Sequence, residues 1–321
     1  MVVPQATVLR TEITAYLAPN IRKLLLGVED RLLGNLEEIR LRCNRPLVLR
    51  VGDKDYSIDR HGRVMTDLKQ GYLVSREDLY RSIASISDNS LYAFEEEIRR
   101  GFITIPGGHR VGLAGQVVVS GQEVRTMKDF SGLCFRVARE VPDCALGLLN
   151  QVAPRGTPLS SLIISPPRCG KTTILRDLAR LLSDGNGPVP PHNVVVVDER
   201  SEIAGCYQGI PQLNVGVRTD VLDACPKALG MMMAIRSLSP QIIITDEVGR
   251  REDVEAIDEC LHAGITVIAS IHARNAEELR ARPPIRKLLD EGAFRRGIIL
   301  SRQPHPGRIE EVIRWDESCC G

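Results

Sequence analysis

No stretch of about 18 apolar residues occurs in the 321-residue chain, so nothing in it reads as a membrane-spanning helix. Net charge is nearly absent as well. Lys and Arg number 42 against 41 Asp and Glu, a balance of +1 that provides no global field for nucleic acid or an acidic membrane. That argues against a nucleic-acid motor. The nine cysteines form no CxxC pair and show no metal-ligand spacing, so reduced thiols of a cytosol are expected rather than a disulfide framework. The opening residues MVVPQATVLRTEITAYL carry early charges and no long apolar core, unlike a signal peptide. Internal repeats and low-complexity tracts are lacking too.

The composition, 43% hydrophobic and 26% charged, is ordinary for a globular protein, and the length allows one large or two medium domains. Up to about residue 149 the pattern is α+β. Helices are expected within 13–42, including Leu33–Arg42, and then a hairpin of Leu47–Val51 and Lys54–Ile58. A capped helix at Ser75–Ile86, a helix over Leu91–Arg99 and short strands from Phe102 to Met127 follow, with a last strand at Phe135–Ala138. Residues 150–160, NQVAPRGTPLS, are rich in Pro, Gly and Ser and mark a linker. From 161 to 321 strands and helices alternate. The strands are continuous apolar runs, which implies a parallel sheet buried on both faces.

The second half is organised around Leu162–Asp177, LIISPPRCGKTTILRD. An apolar strand, a tight loop and a helix opening with G-K-T make a phosphate-binding P-loop. Backbone N–H groups and the positive helix end cradle an anion there. Ser165, Pro166, Pro167, Arg168, Cys169, Gly170, Lys171, Thr172 and Thr173 are the candidate nucleotide contacts. Lys171 would reach the β- and γ-phosphates of ATP, and the Thr172 hydroxyl would ligate Mg²⁺. The first glycine of the usual pattern is Ser165.

A second apolar strand, QIIITDE, delivers Asp246 and Glu247 at its carboxyl end, the Walker B arrangement. Asp246 is the expected Mg²⁺ ligand, and Glu247 the residue that polarises the attacking water. VVVVDERSE repeats the logic, with Asp198, Glu199 and Glu202 clustered around Arg200. A third strand, ITVIAS, runs into His272, which could sense the γ-phosphate. Arg218 and Arg236 are candidates to reach a neighbouring subunit's phosphate, as arginine fingers do.

The order of P-loop, DERSE, RTD, TDEVGR and HAG…SIHA resembles the secretion and type IV pilus ATPases. More narrowly, EEIRLR…RP, SLYAFEEEIRRGFITIPGGHRVGLAG, DERSEIAG, GVRTDVLDACPK and IRSLSP…IITDEVGR resemble the stage III sporulation AA proteins, over roughly residues 15–315. The resemblance implies a RecA-like P-loop ATPase domain with a mainly parallel sheet, preceded by a smaller α+β domain. It implies an ATPase on the mother-cell side of the channel that joins mother cell and forespore in endospore formers. Expected partners are copies of itself in a ring, a hexamer, and integral-membrane components of that channel. The protein would then be cytoplasmic and held at the membrane through partners. The resemblance also puts His262 beside His272 in a histidine box, and Arg168 where family members often carry glycine. A nucleotide-gated scaffold with little turnover and a RecA-like nucleic-acid motor are the rival readings.

Overall fold

The computed structural model describes residues 5–121 and 123–315, and the chain divides into two compact units between Arg139 and Glu140. Cys319 and Cys320 lie outside the described residues, and the seven described cysteines are free thiols. Among the described residues no helix is long and apolar enough to cross a membrane.

The first unit is built on an antiparallel sheet of β1 (Leu36–Arg42), β2 (Val48–Val51), β3 (Lys54–Ile58), β4 (Val64–Met65), β5 (Phe102–Ile105), β6 (His109–Ser120) and β7 (Glu123–Arg136). Its spatial order is β4-β3-β2-β1-β7-β6-β5. Ile39, Leu41, Leu79 and Phe135 fill its core. The capped helix is Arg76–Ile86, with Ser75 Oγ accepting from the Asp78 N–H and the Asp78 carboxylate accepting from the Ser75 N–H.

Leu33–Arg42 is not helical where it was expected to be. Its second part is β1, and the cause of the misreading is a register shift between Leu36 and Glu38. That irregularity buries Leu36 and Ile39, three apart, before Leu41 resumes alternation. Three-residue spacing is the helical signature, so a bulged strand mimics it. Phe135 belongs to β7, one long strand instead of two short ones.

The second unit contains β8 (Ser161–Ile164), β9 (Val194–Asp198), β10 (Thr219–Asp223), β11 (Ile242–Thr245), β12 (Thr266–Ile271), β13 (Arg296–Ser301) and β14 (Arg308–Arg314). The order is β10-β9-β11-β12-β8-β13-β14, parallel except for the edge strand β14. Alternate residues of each strand enter separate cores. Ile163, Val196, Ile244 and Ile268 pack on one face, and Leu162, Val197, Ile243 and Val267 on the other. Three of these strands, β10, β13 and β14, have no counterpart in the sequence reading. Within 150–160 the chain ends one helix (Leu146–Val152) and makes a single turn (Pro154–Gly156), with Val152 and Ala153 in the second core.

Close packing also sets the helix Lys227–Ser237 against β9. A Cβ on Gly230 would stand 2.5 Å from Val197 Cγ1. Gly230→Ala therefore gains helix propensity but forces the helix off the strand, and we expect a net loss of about 1–3 kcal/mol. Urea unfolding checks this, and an unchanged or higher midpoint would show that the contact is not tight.

Candidate functional site

Parallel strands deliver their carboxyl ends to one edge of the sheet, and adjacent order decides which ends meet. β8 lies beside β12, with Ile164 opposite Ile271, and β12 beside β11, with Ala269 opposite Thr245. The next residues along these strands are Ser165, His272 and Asp246-Glu247. Strands far apart in sequence thus bring the P-loop, the histidine and the acidic pair to one place.

The P-loop turns into the helix Lys171–Asp184 at Gly170, in the left-handed region with φ 84°. Only glycine takes that conformation without strain. Arg168 is also left-handed, φ 63°, which explains why a glycine suits its position and costs the arginine on the order of 1 kcal/mol. Ser165 has no positive φ and is fully buried, so no glycine is required there. The turn between β13 and β14 lies on the loop from outside, with the Gly307 N–H donating to the Cys169 carbonyl at 2.9 Å.

Lys171 is 6% exposed, and its ammonium lies 3.1 Å from the carbonyls of Ser165 and Pro166, 3.2 Å from Ser165 Oγ and 2.9 Å from His272 Nδ1. Burial lowers its pKa below the ordinary lysine range, against the pull of Glu247. An ammonium has only hydrogens to give, so His272 Nδ1 accepts and Nε2 carries the ring proton. That N–H donates to Glu247 Oε1 at 2.8 Å. Arg200 Nη1 pairs with Oε2 of the same carboxylate at 2.7 Å. Burial would raise the pKa of Glu247, but the His272 hydrogen bond and the Arg200 charge outweigh it and hold the carboxylate below its usual range. The backbone of Glu247 is itself left-handed, φ 45°, and its N–H is tied to Ser270 Oγ at 3.0 Å.

The other acids differ sharply. Asp198 is fully buried and accepts the N–H groups of Glu202, Ile203 and Ala204, each at 2.9 Å. It shapes the loop after β9, and burial pushes its pKa up to about 6. Arg176 of the P-loop helix grips the same loop through the carbonyls of Glu202 and Ile203. Glu199 pairs with the buried Lys227, and Arg250 stands 3.8 Å away. Asp246 is 2% exposed, and its Oδ1 has no hydrogen-bond partner among the described residues. Burial, reinforced by Asp198, raises its pKa to about 7.

An orphaned carboxylate oxygen at this place fits a divalent cation held by Asp246 and the Thr172 hydroxyl in the first helical turn. Among the described residues no group of three His, Cys, Asp or Glu gathers to hold a metal alone. Such a cation would depend on phosphate oxygens for its remaining ligands, which is the habit of Mg²⁺.

Three residues sit elsewhere. Arg218 precedes the first residue of β10, and Arg236 ends the helix leading from β10 back to the start of β11; both are exposed at the amino-terminal edge of the sheet. His262 ends the helix Arg251–His262 at that same edge, exposed, with Asp258 as its neighbour. Helix direction separates it from His272, so the two form no histidine box within this chain. No role is readable from the sequence for Arg200, Ser270 or Lys227. For Arg200 a signal existed, a lone cation inside DERSE, whereas nothing local marks the other two.

The strand order and the P-loop, carboxylate and histidine at one sheet edge define the RecA-like P-loop ATPase fold. The ATPase DotB of Yersinia pseudotuberculosis shares the fold, with TM-score 0.57 and 14% identity over 88% of this chain and 75% of that one. The pilus retraction motor PilT, solved with bound ADP, gives TM-score 0.51 at 14% identity over 82% and 74%. The chain belongs to the family described as sporulation stage III, protein AA, which it matches over residues 8–318. It is 42% identical over 309 residues, 95% of both chains, to the Stage III sporulation protein AA of Bacillus subtilis strain 168.

The unpartnered Asp246 gives a direct test. Its proton is held more tightly in the folded chain than in the unfolded one. Stability of the nucleotide-free protein therefore falls as pH rises from about 4 to about 7. Asp246→Asn should raise the melting midpoint by roughly 2–8 °C at pH 8 and change little near pH 4. Equal effects at both pH values would remove the buried charge as the cause.

Proposed function

We propose that the protein binds and hydrolyses ATP with Mg²⁺ and that turnover drives or assembles the mother cell–forespore channel. One observation carries this reading. The P-loop lysine, the histidine after β12 and the glutamate after β11 are joined in one hydrogen-bonded line, Lys171–His272–Glu247. A nucleotide's γ-phosphate would enter between these groups. Lys171 then exchanges the carbonyls of Ser165 and Pro166 for phosphate oxygens, with the loop amides up to Thr173 around them. Mg²⁺, held by Thr172 and Asp246, would neutralise charge on the β- and γ-phosphates. Glu247 orients the water and takes its proton as the water oxygen bonds phosphorus and the bond to the bridging oxygen breaks. His272 reports the state of Lys171 to Glu247. Asp198, Glu199 and Glu202 hold the neighbouring loop.

Membership of the sporulation family supports the channel context, and the fold shared with DotB and PilT supports a motor. Membrane attachment would come through partners on the mother-cell side. A scaffold with little turnover is the second reading, favoured by Glu247 having both oxygens engaged. ATP turnover by the purified protein separates the two. Lys171→Ala should abolish nucleotide binding, because the phosphate charge loses its cation. Glu247→Gln should bind normally and hydrolyse on the order of 10²-fold more slowly or worse. If the lysine variant binds a fluorescent ATP analogue as wild type does, the site is not a P-loop.

We propose a ring, a hexamer by analogy with the secretion ATPases, and the placement of Arg218 and Arg236 supports it. They stand a strand's length, about 16 Å, from the carboxyl edge of their own sheet, so any phosphate they serve would be a neighbour's. Arg218→Ala or Arg236→Ala subunits, slowed about 10³-fold alone, should regain turnover when mixed with Lys171→Ala subunits. Activity that is flat on dilution and not rescued by mixing would mean that each chain works alone.

A further inference from the structure

We propose that Arg200 is a latch on Glu247, a positioning residue whose ion pair restrains the carboxylate as a base and whose swing away speeds hydrolysis. This rests on the reading of Glu247 as the base. Each carboxylate oxygen has two lone pairs, so a water can still reach Glu247, but every charge-assisted partner makes the carboxylate a weaker acceptor for the water's proton. Here Oε1 receives His272 Nε2 and Oε2 receives Arg200 Nη1.

The Glu247 backbone is fixed. Its N–H is fixed to Ser270 Oγ, and the next N–H, of Val248, donates to the Ser270 carbonyl at 2.9 Å. Relief of the carboxylate is therefore a matter of side chains, and of which partner holds it less firmly.

The two partners are unequal. His272 is bound on both ring nitrogens, and its other neighbour is the buried Lys171. The Arg200 side chain is 54% exposed. Water can replace its guanidinium at small cost, whereas breaking the His272 end disturbs a buried cation. The weak end is therefore Arg200.

The backbone around Arg200 is clamped on both sides. Glu199 is paired with Lys227, Ser201 Oγ donates to Asp223 Oδ1 at 2.6 Å, and Asp198 pins the residues beyond. Release is consequently a side-chain rotation and not a loop movement. The loop is also tied to Arg176 of the P-loop helix, which keeps its backbone still while the Arg200 side chain turns. A neighbouring subunit or channel component that offers an acid to Arg200 would open it from outside.

Steady-state kinetics on the full chain test the latch. Arg200→Ala should raise kcat roughly two- to fivefold with KM unchanged, the range expected from losing one half-exposed ion pair. Arg200→Lys, which keeps the charge, should stay near wild type and guards against a folding artefact. Raising salt from about 0.05 to about 0.5 M should speed the wild type and leave Arg200→Ala unaffected. On a Glu247→Gln background Arg200→Ala should give no gain, because the arginine acts through Glu247. A fall in kcat of about 10²-fold or more would overturn the proposal by showing that Arg200 serves the phosphate itself. An unchanged kcat with an unchanged salt response would overturn it too. Failure of the underlying reading is distinguishable: Glu247→Gln would then turn over as wild type does, or nucleotide would not bind at all.

Discussion

A buried ammonium has to be surrounded by acceptors, and the candidate site is built outward from that requirement. Lys171 has almost no access to water, and an uncompensated charge in that place would cost several kcal/mol. Its three hydrogens are shared among two carbonyls, a hydroxyl and an imidazole nitrogen. Because the lysine can only donate, it fixes the tautomer of His272. The tautomer fixes the donor facing Glu247, whose remaining oxygen selects a cation, Arg200. Polarity alternates along the chain of groups from the P-loop to the loop after β9.

Such a line exists only while β8, β12 and β11 keep their register. A slip of one residue would turn His272 or Glu247 to the opposite face of the sheet. Two cores prevent this, because both faces of each strand are packed and neither can rotate outward. The helix Lys227–Ser237 adds a tight constraint through Gly230 against Val197, one residue before Asp198. Packing of apolar side chains thus sets the positions of polar ones at the edge.

Four carboxylates within this edge carry distinct duties, and their surroundings assign them. Asp198 spends its oxygens on backbone N–H groups and shapes a loop. Glu199 neutralises a buried lysine. Asp246 is kept dry with an oxygen to spare, and Glu247 is held ionised by a histidine and an arginine. Identical chemistry yields a strut, a counter-ion, a carboxylate with a free oxygen and one held ionised, the last two suiting the proposed metal ligand and base, by differences in burial and in partners.

Much of this was legible in the chain itself. Short apolar runs ending in acids, in a histidine or in G-K-T are local signals, and they located β8, β9, β11 and β12, the P-loop, Asp246-Glu247 and His272 without any fold. What the sequence could not show was which strands are neighbours. β9 lies between β10 and β11, and β8 between β12 and β13, an order that follows from packing and not from succession in the chain. Lys227, Ser270 and Gly307 reach the site only through that order. The same order, with the direction of two helices, sends His262, Arg218 and Arg236 to the far edge. A bulge in β1 disguised a strand as a helix for the related reason that spacing reports local geometry alone. Residue type and spacing determined the available chemistry; the tertiary structure decided which groups share a proton, a charge or a surface, because those pairings cross the sheet and leave no trace along one strand.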